Sequence, residues 1–485
     1  MRLKTVTLNN FRCFESLEID LHPQLTVLVA ENGQGKSSLL DAIRIALWPF
    51  VSSFDLTRNA YNDPGNAISI DDVRLVKMSS GDMARQLPAN ITAIGDFGLG
   101  QERRWIRYRD KETRNSKTKD DGDTSFMRQY ATAIQAQIRD PEKPVLDLPV
   151  FGYYGTGRLW SQKKLTEFSR GKDDTKDTDF YVRTFAYLNC LDPASSFKHF
   201  KEWFTWATSV HIEKFLDFHE GKSDENGVKV FENPVLVVRH AIDSFLQPMT
   251  GWHSLEYSYQ HEKSLILHHA QLGTMKAEAL SDGIRSVLAM IGDIAYRCVK
   301  LNPHLGIEAA RETCGVVLID EIEMHLHPRW QQMVLGQLQD AFPKVQFIVT
   351  THSPQVLTSV DASCVRKLKQ SWDEAGKPYI AVEGVTQQTR GVASSDLLAE
   401  IMGVDPVPDL PEVRDLASYH ALIQQNLHLN SQSLALREQL ESHFGAHHPV
   451  IRECERMIRL QAFKQKLPLP KFQPPRPEVP SEGGQ

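Results

Sequence analysis

Apolar residues along this chain form short, mainly apolar runs that alternate with stretches in which apolar residues recur at helical spacing, and this pattern predicts an α/β fold. The runs at 25–29, 315–319 and 345–349 are typical of strands buried on both faces. Apolar residues at helical spacing follow the first of these runs, from 38 to 47. Residues 1–29 as a whole predict two or three strands joined by turns.

The middle and the end of the chain have different patterns. Residues 180–250 have helical spacing and many Phe and Trp residues, so we predict a compact helical lobe with its aromatic side chains mainly in the core. Alternating positions at 255–259 and 265–268 predict a hairpin. Apolar residues recur at helical spacing again within 391–466, which predicts helices there. The proline-rich residues 467–485 predict an extended or disordered tail.

The composition narrows the class of protein. The net charge of −6 argues against a protein that coats nucleic acid, although it is compatible with a local basic stripe. Six scattered cysteines without a C-x-x-C pair indicate a reduced, cytoplasmic protein with neither a disulfide framework nor a zinc module. The N-terminus has no signal-peptide pattern, and no apolar run reaches the roughly 18 residues of a membrane span. We therefore expect no membrane partner.

Residues 30–37, AENGQGKS, connect the first buried strand to a helix and predict a phosphate-binding loop. In such a loop, backbone N–H groups and the helix N-terminus surround an anion. Lys36 would reach the β- and γ-phosphates of a nucleotide, and the Ser37 hydroxyl would hold Mg²⁺. Ala30 replaces the usual first glycine, which the loop tolerates if this position needs no positive φ. The candidate nucleotide-binding residues of this segment are Asn32, Gly33, Gly35, Lys36, Ser37 and Ser38.

Two further buried strands end in residues that suit phosphate chemistry. Asp320 and Glu321 follow the run at 315–319, at the carboxyl end of a strand, where ligands bind in open α/β sheets. Asp320 can hold Mg²⁺, and Glu321 can orient and deprotonate an attacking water molecule. His352 follows the third buried run and can sense the γ-phosphate through a hydrogen bond.

Three other features allow two interpretations each. Ser281 and Gly283 precede an apolar helix and form either a second anion-binding corner or an ordinary N-cap. Arg12 contacts either a phosphate or a neighbouring carboxylate in a salt bridge. The segment Glu323, His325 and His327 is either a metal cluster or a loop that enters a helix.

The most basic stretch of the chain runs from Arg103 to Lys119 and contains interleaved aromatic residues. Its alternation predicts a strand with Arg107 and Arg109 on one face. Basic and aromatic side chains together are typical of a nucleic-acid-binding face. The alternative is an exposed edge strand that charge protects from pairing with another chain.

Taken together, these stretches resemble the ABC-type ATPases of the SMC, RecF and OLD kind, most clearly at 1–50 and 250–360. The corresponding motifs are Walker A at 30–37, the signature at 280–283, Walker B at 319–321, the D-loop at 323–328 and the switch histidine at 351–353. The resemblance implies ATP and Mg²⁺ as cofactors and ATP hydrolysis as the reaction, whether fast or slow. It also implies that Ser281 and Gly283 act on the nucleotide of a second copy, which requires a homodimer or a higher homo-oligomer with composite ATP sites.

The resemblance also implies a fold: an α/β ATPase head with a mixed sheet and flanking helices, an inserted helical lobe and a C-terminal helical extension. We predict two parts of the head, at 1–179 with Walker A and at 251–390 with the signature, Walker B and switch histidine. The helical lobe at 180–250 lies between them. The extension covers 391–466, and the tail covers 467–485.

Within that family, the helical lobe, the turn at 323–328 and the C-terminal extension resemble the PtuA-type ATPases of Septu and retron-linked anti-phage systems. This resemblance implies a regulatory scaffold that controls a separate effector, an HNH-type nuclease docked on 391–466. OLD relatives carry a Toprim nuclease instead. Glu383 ends a strand-like run as the first Toprim carboxylate does, but Asp405 and Asp409 lie in a proline-broken loop and not at the end of a strand, so we do not expect an intrinsic nuclease. The alternative function is a RecF-like DNA-repair ATPase that binds DNA directly.

Overall fold

The computed structural model describes residues 1–57, 64–114, 116–158, 181–193, 197–219 and 234–466. The expected tail at 467–485 lies outside these residues. The chain divides into two compact units, 1–403 and 404–485. Within the described ranges, no helix has both the length and the apolar character that crossing a membrane requires.

The strands are β1 (Arg2–Phe11), β2 (Phe14–Asp20), β3 (Leu25–Val29), β4 (Leu75–Lys77), β5 (Met83–Arg85), β6 (Ala89–Asp96), β7 (Arg103–Arg109), β8 (Lys119–Asp120), β9 (Val150–Tyr154), β10 (Trp252–Ser258), β11 (Ser264–His269), β12 (Gly273–Lys276), β13 (Gly315–Ile319), β14 (Val345–Thr351), β15 (Val365–Trp372) and β16 (Pro378–Gly384). The helices are α1 (Lys36–Val51), α2 (Gly122–Ile138), α3 (Phe197–His219), α4 (Pro234–Thr250), α5 (Asp282–Leu301), α6 (Ala309–Glu312), α7 (Pro328–Gln331), α8 (Val334–Ala341), α9 (Pro354–Leu357), α10 (Ser394–Glu400), α11 (Pro411–Gln424), α12 (Ser431–Phe444) and α13 (Pro449–Lys466).

A six-stranded sheet in the order β16-β15-β3-β14-β13-β9 forms the centre of the first unit. Strands β15, β3, β14, β13 and β9 run parallel, and β16 pairs antiparallel at the edge. Every residue of β3, β9, β13 and β14 is buried, as the mainly apolar runs predict. The mixed α/β architecture expected from the sequence is therefore confirmed.

A second sheet, in the order β2-β1-β6-β7-β8, is antiparallel. Helix α1 packs against β14 of the first sheet and against β6 and β7 of the second. The helix is apolar around most of its circumference, with buried residues at nearly every position, because both sheets cover it. Helix α1 begins directly after the glycine loop. Its packing against both sheets therefore fixes the position at which the loop ends.

Strand β7 accounts for two arginines of the basic stretch, while nucleic-acid binding by the other basic residues of that stretch stays a prediction. Arg107 and Arg109 lie on one face, as the alternation predicts, but both are buried. Arg107 donates to the Asp120 carboxylate at 2.9 Å and to the carbonyl oxygen of Ile45 at 2.8 Å. Arg109 donates to backbone carbonyl oxygens, including that of Ser116 at 2.7 Å. These two arginines bind partners inside the first unit and are not available to nucleic acid. Nor is β7 an edge strand, because β6 and β8 flank it.

The helical lobe belongs to the same hydrophobic core as the sheets. Phe200, Trp203 and Phe204 of α3 are buried in that core, as predicted for the aromatic residues of this segment, whereas Phe215 is exposed. Helices α3 and α4 pack against α5. The predicted hairpin is present as β10 and β11, and β12 extends it to three strands.

The boundary between the two units lies at 403, later than the expected start of the extension at 391. Leu397 and Ile401, in and after α10, are buried in the core of the first unit. The second unit consists of α11, α12 and α13 around a small core. Its buried residues are Tyr419, Ile423, Leu440, Ile451 and Cys454.

A buried ion pair joins α5 to the central sheet. Asp293 accepts from Arg297 Nε at 2.7 Å and from the Tyr154 hydroxyl at 2.8 Å, and both ionic side chains are almost fully buried. Arg297 also donates to the carbonyl oxygen of Leu188, so the pair connects the helical lobe, α5 and β9.

We expect D293A to reduce the free energy of unfolding by about 3–5 kcal/mol, because it leaves the Arg297 charge buried without its counter-ion. The measurement is the guanidinium midpoint of the purified chain. The matched control is E312A, which removes the exposed ion pair with Lys344 and should change the midpoint little. Equal midpoints for the two variants would contradict the structural importance of the buried pair.

Candidate nucleotide-binding and catalytic site

Three neighbouring parallel strands end at the same edge of the central sheet. Ile319 of β13 lies opposite Val349 of β14, and Thr351 of β14 lies opposite Val29 of β3. The residues that follow each strand therefore meet in space. They are the glycine loop after β3, Asp320 and Glu321 after β13, and His352 after β14.

The glycine loop has the backbone conformation that its sequence predicts. Gly33 and Gly35 have φ angles of 82° and 90°, in the region that favours glycine. Gly35 is also in close contact with its surroundings, since a Cβ atom there would lie 2.4 Å from Cζ of Phe14 and 2.7 Å from Sγ of Cys13. Ala30 does not adopt a positive φ, which explains why alanine can replace the usual first glycine.

Lys36 folds back over this loop at the start of α1. Its Nζ atom donates to the carbonyl oxygens of Ala30 at 2.7 Å and Glu31 at 3.2 Å. Burial lowers the pKa of Lys36, while the nearby carboxylates of Asp320 and Glu321 act in the opposite direction. The amino group is thus largely removed from solvent and held at the place where the loop would bind an anion.

Ser37 and Asp320 bring two distant parts of the sequence into direct contact. The Ser37 hydroxyl donates to Oδ2 of Asp320 at 2.8 Å, and the Thr350 hydroxyl donates to Oδ1 at 2.6 Å. Hydroxyl and carboxylate oxygens are hard donors of the type that Mg²⁺ prefers, with water completing its coordination. The side chains present therefore fit a magnesium ion bound beside a nucleotide phosphate.

A cavity of about 330 Å³ opens at this edge of the sheet. It is lined by Arg12, Cys13, Asn32, Gly33, Gly35, Lys36, Ser37, Ser38, Asp320, Glu321 and His352. The structure thus brings together every residue predicted for the site except Ser281 and Gly283. Cys13 was not predicted, and its thiol lines the cavity because it lies in the tight turn between β1 and β2.

Ser281 and Gly283 lie at the start of α5, outside the residues that line the cavity. Ser281 is the N-cap residue and is exposed, and its side chain makes no capping hydrogen bond. A Cβ atom at Gly283 would lie 2.4 Å from the carbonyl oxygen of His325. Glycine is therefore required there by contact with the D-loop of the same chain, while the Ser281 hydroxyl remains accessible from outside.

Arg12 combines the two interpretations that its sequence position allows. Its guanidinium donates to Asp41 at 2.6 Å and to Asp72 at 2.8 Å, and the residue also lines the cavity. Asp41 in turn accepts from the Tyr153 hydroxyl at 3.0 Å. Burial, together with the Asp41 carboxylate, raises the pKa of Tyr153, so the hydroxyl remains protonated and donates. The sequence analysis missed Asp41, Asp72 and Tyr153 as supports of Arg12.

The segment after Walker B enters a helix and does not form a metal cluster. His327 is the N-cap residue of α7, and its Nδ1 accepts from the backbone N–H of Arg329 at 3.3 Å. Glu323 accepts from Thr351 and from the backbone of His352. Among the residues that the structure describes, no group of three or more His, Cys, Asp or Glu side chains could hold a metal ion.

Comparison with known proteins gives two overlapping family matches. A profile described as "AAA domain" matches residues 5–202. A second, described as "AAA domain, putative AbiEii toxin, Type IV TA system", matches residues 167–358. Both matched ranges include part of the site, since the first contains Walker A and the second contains the signature, Walker B and the switch histidine.

Three similar proteins match over different lengths. The Retron Ec83 probable ATPase of Escherichia coli is 28% identical and covers 92% of this chain and 84% of that protein. The Retron Vc95 probable ATPase of Vibrio cholerae serotype O1 biovar El Tor is 23% identical, covering 76% of this chain and 74% of that protein. The Septu protein PtuA of Bacillus mycoides strain KBAB4 is 38% identical over 29% of this chain and 19% of that protein. Together these matches support an ABC-type ATPase of the SMC, RecF and OLD kind, which is the kind that the motifs predict.

The two loop glycines should differ in their tolerance of alanine. We expect G35A to abolish detectable ATP binding, because the new methyl group would clash with Phe14 and Cys13 and would also strain the backbone. G33A meets no atom within 4 Å and adds only backbone strain, so binding should weaken by about tenfold. The measurement is a titration with a fluorescent ATP analogue and Mg²⁺. Equal dissociation constants for the two variants would contradict this explanation.

Proposed function

We propose that the chain binds ATP with Mg²⁺ in the strand-end cavity, hydrolyses it there, and acts as a regulatory scaffold for a separate effector in anti-phage defence. The contact that carries the catalytic part is the 2.8 Å hydrogen bond from Ser37 to Asp320. It joins Walker A to Walker B across 283 positions of sequence, in the arrangement that a nucleotide-bound Mg²⁺ requires.

The charged and metal-binding residues of the cavity each have a defined part in this proposal. Lys36 and the loop N–H groups bind the β- and γ-phosphates, and Ser37 and Asp320 hold Mg²⁺, which neutralises charge on the phosphates. Glu321 orients the attacking water and accepts its proton. His352 donates a hydrogen bond to the γ-phosphate. Arg12, fixed by its two carboxylate partners, provides positive charge at the rim.

The proposal requires a second copy of the chain. The signature residue Ser281 is exposed and lies outside the cavity that contains Lys36, which supports a role for its hydroxyl at a nucleotide bound by another molecule. A symmetric dimer supplies one signature to each of its two cavities, which is why we propose composite ATP sites. Hydrolysis then depends on the association of the two copies.

The defence role rests on similarity to the retron and Septu proteins. We propose that the effector is a nuclease of the HNH type and that it docks on the C-terminal helical unit, which forms its own small core. The unit presents exposed apolar side chains, including Leu429 at 75%, Phe463 at 61% and Leu434 at 52% exposure. An exposed apolar surface on a separate unit is typical of a protein-binding module.

We expect E321Q to lower kcat for ATP hydrolysis by at least about 100-fold, because Gln cannot accept the proton of the attacking water. ATP binding should persist, and bound ATP should stabilise the dimer. K36A should instead abolish binding. Filter binding, phosphate release and sedimentation with ATP and Mg²⁺ measure these effects. Hydrolysis by E321Q at the rate of the parent chain would exclude Glu321 as the general base.

A second experiment tests the docking surface. The chain is expressed together with its neighbouring genes, purified with ATP and Mg²⁺, and weighed by native mass spectrometry. Ending the chain after Gly403 should remove the effector while ATP hydrolysis continues, whereas ending it at 466 should retain the effector. An effector that still co-purifies with residues 1–403 would show that the helical unit is not its docking site.

A further inference from the structure

Hydrogen bonds continue to connect the chain to β14 beyond the end of β13, through both side-chain and backbone groups. The Thr350 hydroxyl accepts from the backbone N–H of Glu321 at 2.8 Å while donating to Asp320. The backbone N–H of Ile322 donates to the carbonyl oxygen of Thr350 at 3.1 Å. These bonds connect three successive residues after β13, namely Asp320, Glu321 and Ile322, to Thr350 near the end of β14.

Glu323 makes the next connection, and it uses both carboxylate oxygens. Oε2 accepts from the Thr351 hydroxyl at 2.8 Å, and Oε1 accepts from the backbone N–H of His352 at 2.5 Å. The Thr351 hydroxyl in turn accepts from the backbone N–H of Ser353 at 3.0 Å. The backbone on both sides of His352 is therefore fixed through a single carboxylate.

His352 lines the cavity, whereas Glu323 is not among the residues that line it. Glu323 can therefore influence the reaction through the residues that it holds, and its carboxylate also interacts electrostatically with Lys36. Displacement of a catalytic group by about 1 Å can lower a reaction rate by about 100-fold. We therefore expect the rate of ATP hydrolysis to depend on how firmly the position of His352 is fixed.

We infer that Glu323 is a positioning residue for ATP hydrolysis, which holds the switch loop so that the His352 side chain meets the γ-phosphate. This inference rests on the proposed function of His352 and extends it to a residue that the motif comparison assigns only to the D-loop.

The first test separates hydrogen bonding from charge. We expect E323A to lower kcat for ATP at least about tenfold while KM stays within about threefold, because the phosphate-binding loop is unchanged. E323Q should keep kcat within about threefold of the parent, since its amide oxygen can accept from His352 N–H and its amide nitrogen can donate to Thr351. The matched control is E374A, at an exposed carboxylate in the turn between β15 and β16, which should behave as the parent chain.

The second test is a double-mutant cycle with H352A. If Glu323 acts through His352, E323A should cause no further loss of kcat in the H352A chain. A full additional tenfold loss in that background would overturn the inference. The inference would also be overturned if E323A had the kcat of the parent chain. It would likewise be overturned if E323Q were as slow as E323A, because that result would assign the effect to the charge of Glu323.

The same measurements distinguish this inference from the proposed function. If H352A is slow and E323A is fast, only the role of Glu323 fails. If H352A hydrolyses ATP as fast as the parent chain, the proposed role of His352 fails and the inference fails with it. ATP binding by each variant, measured with the fluorescent analogue, shows that the cavity is intact.

Discussion

The register of three parallel strands determines where the chemistry of this protein is located. Strands β3, β14 and β13 pair so that their carboxyl ends meet at one edge, and the glycine loop, His352 and Asp320 follow directly from those ends. Because side chains alternate along a strand, a shift of one residue in either pairing would turn these groups away from one another. The residues of all three strands are buried on both faces, which leaves the apolar runs little freedom to shift.

Helix α5 links the site to the rest of the first unit. It begins directly after its N-cap residue Ser281, packs against the helical lobe, and holds β9 through the bond between Asp293 and the Tyr154 hydroxyl. The preceding residue of β9, Tyr153, contacts Asp41, which in turn holds Arg12 at the cavity. A continuous series of packed and hydrogen-bonded groups therefore joins the signature motif, the helical lobe and the rim of the ATP cavity. This connection offers a physical route for the proposed effect of a second copy on the site.

The sequence allows prediction of the strands, the glycine loop and the acidic pair, because these depend on local patterns of apolar residues and on short motifs. It does not allow prediction of Asp41, Tyr153 or the contacts of Glu323, because their partners lie far away in the chain and only the fold brings them together. The burial of two basic residues of β7 could not be predicted for the same reason. Arg107 and Arg109 have the pattern of an exposed charged face, yet internal carbonyl groups and Asp120 bind them in the core. The end of the first unit was also unpredictable, since it depends on where Leu397 and Ile401 pack.

The central claim of this account is that the strand-end cavity of one chain forms an ATPase site only with the signature motif of a second chain. Mixing K36A and S281R chains tests it most directly, because each variant alone lacks one half of every composite site. A mixed dimer contains one intact site, formed by the cavity of the S281R chain and the Ser281 of the K36A chain. We predict that neither variant hydrolyses ATP alone and that the mixture regains activity. A mixture that remains inactive beside an active parent chain, or an S281R chain that is active alone, would contradict the claim.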